Sequence, residues 1–453
     1  MSFADWRDMT PARAARELHA RVAALPGKLR SAAIAWLRPE TKLERELERW
    51  NGLPSSRSER VEGNALHLLR GVPYALKDLF DLAGVPTRAG SSFLPEVRPT
   101  PAHDCNLVTK MRSLGAVAAA KTHLQEFASG LTGENIHYGD CPHPQFPDRL
   151  TGGSSSGSAA LAGAGVVPFA IGSDTGGSVR VPGSWCGLFG FRLTPGDEFI
   201  RDAFPLSSTC DTAGWFTGNA ADMLTAWRAL VGGRANRLDE PSGRGMASAR
   251  PEDSPYPAAA RPRGCHLRMA HLVEGFDPDA ATACDRASAG LCPAADAATR
   301  DQLLSDWREA RATYSTISMR EAFEVHRRWM APHRERYDPV IWGRYHEAGG
   351  WPEESIAAAH RTKDALRAGW AKFFESYDYV VFPTVPSGAP RKADLTPDLR
   401  LSILTLTAPA SVGGLPVLSI PVPLPSGLTA GLQVVVRTPD SPVVPAILLM
   451  LAK

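Results

Sequence analysis

The chain has 453 residues, enough for a large core and, by length alone, two or three domains. Apolar residues make up 43% and charged residues 22%, the ordinary globular range. With 50 basic against 48 acidic side chains the net charge is +2, which argues against nucleic acid as a partner, because phosphate contacts need clustered positive charge.

The N-terminal stretch MSFADWRDMTPARAARELHARV is charged and lacks an apolar signal core. No segment approaches the roughly 20 apolar residues of a spanning helix. A cytoplasmic protein with no membrane partner is expected. Thr10 and Pro11 read as an N-cap and a first helical position, with Leu18, Val22 and Leu25 as an apolar stripe and Pro26-Gly27 as the stop. Helices are predicted over 28–37 and 42–50, the second with Leu43, Leu47 and Trp50 on one face. Residues 1–60 are thus expected to form a helical arm, packed on a body that spans 61–453.

From about residue 64 the pattern changes. ALHLLRGVPYALKDLFDLAG mixes apolar runs with turn residues and reads as strands and loops. In DCNLVTKMRSLG, Asp104 is the expected cap, Leu107, Met111 and Leu114 the stripe, and Gly115 the stop. AVAAAKTH is of strand length, and SAALAGAGVVPFAIG (158–172) reads as a small-residue helix followed by a buried strand. Helix followed by strand, repeated, indicates an α/β layer. Residues 232–264, rich in Gly, Pro, Arg, Ser and Ala, are expected to be a long surface excursion. Residues 295–377 read as mostly helical, and YVVFPTVP, GLPVLSIPVPLP and GLQVVVR as late strands.

The seven cysteines are odd in number, scattered and without a CxxC pair, so they read as reduced thiols. No zinc spacing and no HExxH occurs, and no metal or organic cofactor is expected.

The chemistry is concentrated in TGGSSSGSAA (151–160) and GSDTGGSVR (172–180). A Gly/Ser tract is commonly a linker, but this one runs directly into an apolar helix and strand. Gly153, Ser155 and Gly157 also satisfy G-x-S-x-G, the turn that presents a nucleophile between a strand and a helix. The three prolines of the preceding CPHPQFPDRLT argue against the strand that this turn requires. A third reading joins both stretches to a lysine. A serine needs a base, and a buried lysine can be neutral near pH 7 and serve as one. A second serine can relay the proton. Gly-Gly ahead of a serine, as in DTGGS, lets backbone N–H groups converge on an oxyanion.

These residues resemble the amidase signature family of serine amidases. GGSSSGSAALAGAGVVPFAIGSDTGGSVRVPGSWCGLFGFR (152–192) is similar to its Gly/Ser-rich signature, and LRGVPYALKDLFDLAG (69–84) to the segment that carries its lysine. KTHLQEFASGLTGENIHYG, DTAGWF and GLPVLSIPVPLPSGLTAGLQVVV resemble further blocks. The resemblance implies an α/β amidase-signature fold, a mixed, twisted central sheet with helices on both faces. It implies hydrolysis of a small-molecule carboxylic amide to acid and ammonia or amine. It assigns Ser178 as the acyl-forming nucleophile, Ser154 as a bridging serine held by a cis peptide bond, and Lys77 as the base. The N–H groups of Thr175, Gly176, Gly177 and Ser178 would form the oxyanion hole. A homodimer is left open.

The chain departs from the family pattern at several positions. Ser156 stands where the usual signature has glycine, which would strain it if φ there were positive. His123 replaces an asparagine. Gly177 stands where members specialised for urea-derived substrates tend to have alanine. The rival readings are a urea-derivative hydrolase, a non-enzymatic binding protein and an amidotransferase subunit. Lys121 is a decoy lysine, Asp174 and Arg180 a pair bracing the nucleophile turn, and His123 and His137 loop hydrogen-bonders. The substrate pocket is expected from 323–345, through Phe323, Trp329, Tyr337 and Trp342, and from TLTAPASVGGL (405–415). Such apolar walls would favour aryl or medium alkyl acyl groups.

Overall fold

A computed structural model describes residues 1–51, 68–232 and 262–452. The boundary expected at 60/61, and all but the ends of the excursion expected over 232–264, lie outside the described residues. Among the described residues ten strands form one sheet: β1 (Ile34–Leu37), β2 (Pro73–Lys77), β3 (Val117–Thr122), β4 (Phe169–Asp174), β5 (Phe189–Arg192), β6 (Thr212–Thr217), β7 (Gly264–His266), β8 (Tyr379–Pro383), β9 (Val417–Pro423) and β10 (Thr429–Val436). Their order is β1-β3-β2-β4-β6-β5-β9-β10-β8-β7. The pairs β2/β3, β2/β4 and β7/β8 are parallel and the others antiparallel, so the sheet is mixed, as expected.

Side-chain alternation along the strands builds a layer on each face. Ala75, Ala170 and Phe216 pack in a cluster with Leu18, Leu29, Leu43 and Leu47 of the N-terminal helices. Their strand neighbours Leu76, Ile171 and Trp215 join the other face, with Leu107, Met111, Met223 and Ile447. On the far half of the sheet Val380, Phe382 and Val435 meet Trp307, Leu366 and Trp370 of the long C-terminal helices. Because both faces are covered, β2, β3, β4 and β6 are buried along their whole length.

The helix predicted over 28–37 ends at Ala33, and Ile34–Leu37 turn into β1, antiparallel to β3. Pairing with the open edge of β3 overrides the local helical pattern, and the arm thereby supplies an edge strand to the sheet. The helix Asn106–Ser113 starts with Cys105 as its N-cap. Asp104 instead accepts from the Ala83 N–H at 2.9 Å and pairs with Arg112. Residues 405–413 of the 405–415 segment are the second half of a helix, Pro397–Gly413, that continues through Pro409 and is capped by Gly414. Among the described residues no helix is long and apolar enough to cross a membrane.

Candidate active site

The parallel strands β2 and β4 lie side by side and end at one place, where open α/β sheets commonly hold ligands. Lys77 is the last residue of β2 and is fully buried. Its Nζ donates to Ser154 Oγ and to Ser173 Oγ, each at 2.8 Å. Ser173 lies in β4, and Ser154 in the loop ahead of the helix Ser156–Gly163. The Ser154 carbonyl accepts from the Gln125 N–H at 3.1 Å, and the Gly153–Ser154 peptide bond is cis. Burial pulls the Lys77 ammonium down to about 7, against the upward pull of Asp211 and Asp174.

Beyond the end of β4 the chain makes the tight turn Asp174–Arg180, gathered around one carboxylate. Asp174 Oδ1 accepts from the Gly177 N–H at 2.9 Å, and Oδ2 from the N–H groups of Val179 and Arg180 at 3.0 and 3.2 Å. Arg180 closes on it through Nε at 3.0 Å and Nη2 at 2.9 Å, and Arg192 Nη1 lies at 3.0 Å. Burial alone would raise the Asp174 pKa, but the two guanidinium groups hold it below the ordinary carboxylate range. The bracing pair expected from the sequence is thus a triad with Arg192. The N–H groups of Thr175, Gly176 and Ser178 have no hydrogen-bond acceptor among the described residues. Gly177, expected as a fourth oxyanion donor, has its N–H held by Asp174. What this position supplies is conformation, since its φ is +132°. At Gly176 a Cβ would sit 2.4 Å from Tyr314 Oη, so only glycine lets that ring rest on the turn.

Ser178 lines a cavity of about 280 Å³. Leu131, Leu206, Met319 and Leu404 give it apolar walls, and Tyr314, Arg344 and Arg400 complete the lining together with small polar residues. The aromatic residues expected here are elsewhere. Trp329 and Tyr337 pack into the core around His326, Phe127 and Phe204, and Trp342 stacks on His346. Of 323–345 only Arg344 lines the cavity, and the wall from Pro397–Gly413 comes from its first two turns rather than from 405–415.

Ser155 is fully buried. It donates to the Ser173 carbonyl at 3.1 Å and accepts from the Ser173 N–H at 3.3 Å, which fastens the Gly/Ser loop to β4. No strand precedes it, so the elbow reading fails. Ser156 begins the helix with a negative φ; the only non-glycine residues of positive φ among those described are Ala89, Phe127 and Ala128. Lys121 pairs with Asp78 at 2.5 Å and donates to Thr87 Oγ1 at 2.9 Å, away from the serines. His123 stacks on Tyr138 and burial pushes its pKa down to about 3, while His137 contacts Glu126 at 2.7 Å. Sequence reasoning missed Asp211, which accepts from Thr175 Oγ1 at 2.6 Å and whose pKa burial raises to about 6. It also missed Ser173. Both stand inside stretches read as motif blocks, but no spacing rule singled them out. Among the described residues no three His, Cys, Asp or Glu side chains cluster as metal ligands.

Comparison with known proteins identifies the class: a hydrolase acting on carbon–nitrogen amide bonds. The chain belongs to the Amidase family, whose model matches residues 54–440. It is 30% identical to AtzE, a 1-carboxybiuret hydrolase subunit, of Pseudomonas sp. strain ADP, over 80% of this chain and 79% of that one. It is 28% identical to the A-type subunit of glutamyl-tRNA(Gln) amidotransferase from Moorella thermoacetica, over 83% and 81%. Among solved structures it is similar to an inhibitor-bound chain from a vestigial protein complex linked to the origins of an s-triazine catabolic enzyme. That likeness has a TM-score of 0.81 and 26% identity, and covers 99% of this chain and 98% of the other.

Proposed function

We propose that the chain hydrolyses a small carboxylic amide through an acyl-enzyme on Ser178. Neutral Lys77 takes the proton of Ser154, Ser154 takes that of Ser178, and Ser178 Oγ forms a bond to the carbonyl carbon. The N–H groups of Thr175, Gly176 and Ser178 stabilise the oxyanion. Collapse breaks the C–N bond as the relay returns its proton to the leaving nitrogen. Water then repeats the attack on the ester, giving the acid and regenerating Ser178. The observation that carries this reading is the buried Lys77, bonded to Ser154 at 2.8 Å and brought to about 7, where it is free to act as a base. The Asp174 cage supports it by orienting the turn without drawing on the other three N–H groups. All the residues named here belong to one chain, and the reading is of a cytoplasmic enzyme, with a homodimer left open.

Incubation with an activated anilide and hydroxylamine tests this. The expected results are a hydroxamate product and a transient acyl adduct on the Ser178 peptide by mass spectrometry. Adduct formation on another residue, or undiminished turnover by Ser178→Ala, would refute the assignment.

A further inference from the structure

The cavity beside Ser178 carries an unbalanced charge. Arg344 and Arg400 line it, and among the described residues no acidic side chain does. Arg344 is half-buried in the helix Pro339–Gly349, and its side chain has no hydrogen bond or ion pair among the described residues. Arg400 reaches only Glu134, at 3.9 Å. Burial lowers the Arg344 pKa, and the neighbouring Arg400 lowers it further, with Asp338 and Glu134 opposing more weakly. Arg400 also sits in the first turn of its helix, the end where a cation opposes the helix dipole. Half-buried cations are ordinarily paired by the protein, and here, among the described residues, the Arg344 side chain has no partner and Arg400 only the long contact to Glu134. A guanidinium pair matches a planar carboxylate, which it can grip through two parallel N–H···O bonds. The volume of about 280 Å³ lies at the small end of the range for small-molecule sites and suits a short chain.

We propose that the substrate is a short amide bearing a carboxylate at its far end, held by Arg344 and Arg400 while the amide carbonyl lies against Ser178. This rests on the amidase reading above. It replaces the aryl or alkyl preference that the sequence suggested, because the aromatic residues behind that preference are not in the cavity.

The test uses three matched pairs: malonamate with propionamide, succinamate with butyramide, and glutaramate with valeramide. Ammonia release is measured at fixed pH and ionic strength. The wild type is expected to prefer the carboxylated member of the best-fitting pair by about 10- to 100-fold in kcat/KM, the range of a charge-assisted bond. In Arg344→Gln and Arg400→Gln that ratio should fall towards one, with Arg344→Lys in between. A ratio reports charge recognition even if a variant loses overall activity, and Arg344→Lys carries the test if a glutamine variant does not fold. A wild-type ratio at or below one in every pair overturns the proposal, as does a ratio unmoved by either glutamine variant. Failure of the underlying reading looks different: amides are then hydrolysed as well by Ser178→Ala as by the wild type, whatever the ratio.

Discussion

Replacing Lys77 with methionine should stabilise the protein while abolishing its activity, and the gain should depend on pH in a defined direction. A lysine at about 7 when folded and at 10.5 when unfolded binds fewer protons in the native state. Its contribution therefore opposes folding in full below pH 7, and the opposition fades as pH rises from 7 to 10.5. At about 1.36 kcal/mol per pKa unit, the penalty is about 5 kcal/mol at pH 6 and about 2 kcal/mol at pH 9. Methionine removes it, but leaves Ser154 and Ser173 each without the Lys77 hydrogen bond, a loss of about 1 kcal/mol apiece. The expected gain is about 3 kcal/mol at pH 6 and close to zero at pH 9. Paired thermal or urea unfolding of wild type and Lys77→Met across this range measures the change, and its slope is independent of packing effects common to all pH values. A variant that is less stable than wild type at pH 6, or a difference flat with pH, would mean that Lys77 sits protonated and compensated. It could not then be the resting base.

Further expectations follow from the same geometry. Activity as kcat/KM should rise about tenfold between pH 6 and pH 8 and then level off, as Lys77 loses its proton near 7; Asp211→Asn, which removes a neighbouring negative charge, should move the midpoint to lower pH. Ser178→Ala should lose on the order of 10³-fold or more in kcat, Ser154→Ala somewhat less, and the double variant little more than Ser178→Ala alone. Gly177→Ala puts a Cβ 3.1 Å from Val181 and 3.2 Å from Thr407 at a φ of +132°, so a loss of about 1–3 kcal/mol in stability and a larger proportional drop in kcat than in KM are expected from calorimetry and kinetics. Arg180→Met leaves Asp174 with one guanidinium instead of two and should cost about 3–5 kcal/mol, read as a lower melting temperature.

The two proposed reacting serines were legible because they stand in contiguous, glycine-rich stretches that suit no ordinary strand. Lys77 ends an ordinary apolar strand, and only the resemblance of LRGVPYALKDLFDLAG to the family's lysine segment pointed to it. The cavity wall was not legible. Arg344 and Arg400 sit on two different helices, neither with a pattern that singles them out, and only the packed fold brings both to the cavity that Ser178 lines. The aromatic residues of 323–345 misled for a related reason. Large rings report burial, and Trp329 and Tyr337 are buried in the core instead of around a ligand. Residues 34–37 read as helix because an edge strand gains its stability from a partner distant in sequence.

The helix Pro397–Gly413 has two halves with different attachments. Its later half is pinned to the nucleophile turn: Thr407 Oγ1 donates to the Gly176 carbonyl at 2.6 Å, and Arg180 reaches the Thr407 carbonyl at 2.8 Å and Ser411 Oγ at 2.7 Å. Its earlier half presents Arg400, Leu401 and Leu404 to the cavity. One helix thus carries an anchor at one end and a cavity wall at the other. On the proposed reading, replacing Arg400 or Leu401 would change which amides fit while the turn that holds Ser178 stays in register, because neither side chain takes part in the anchor.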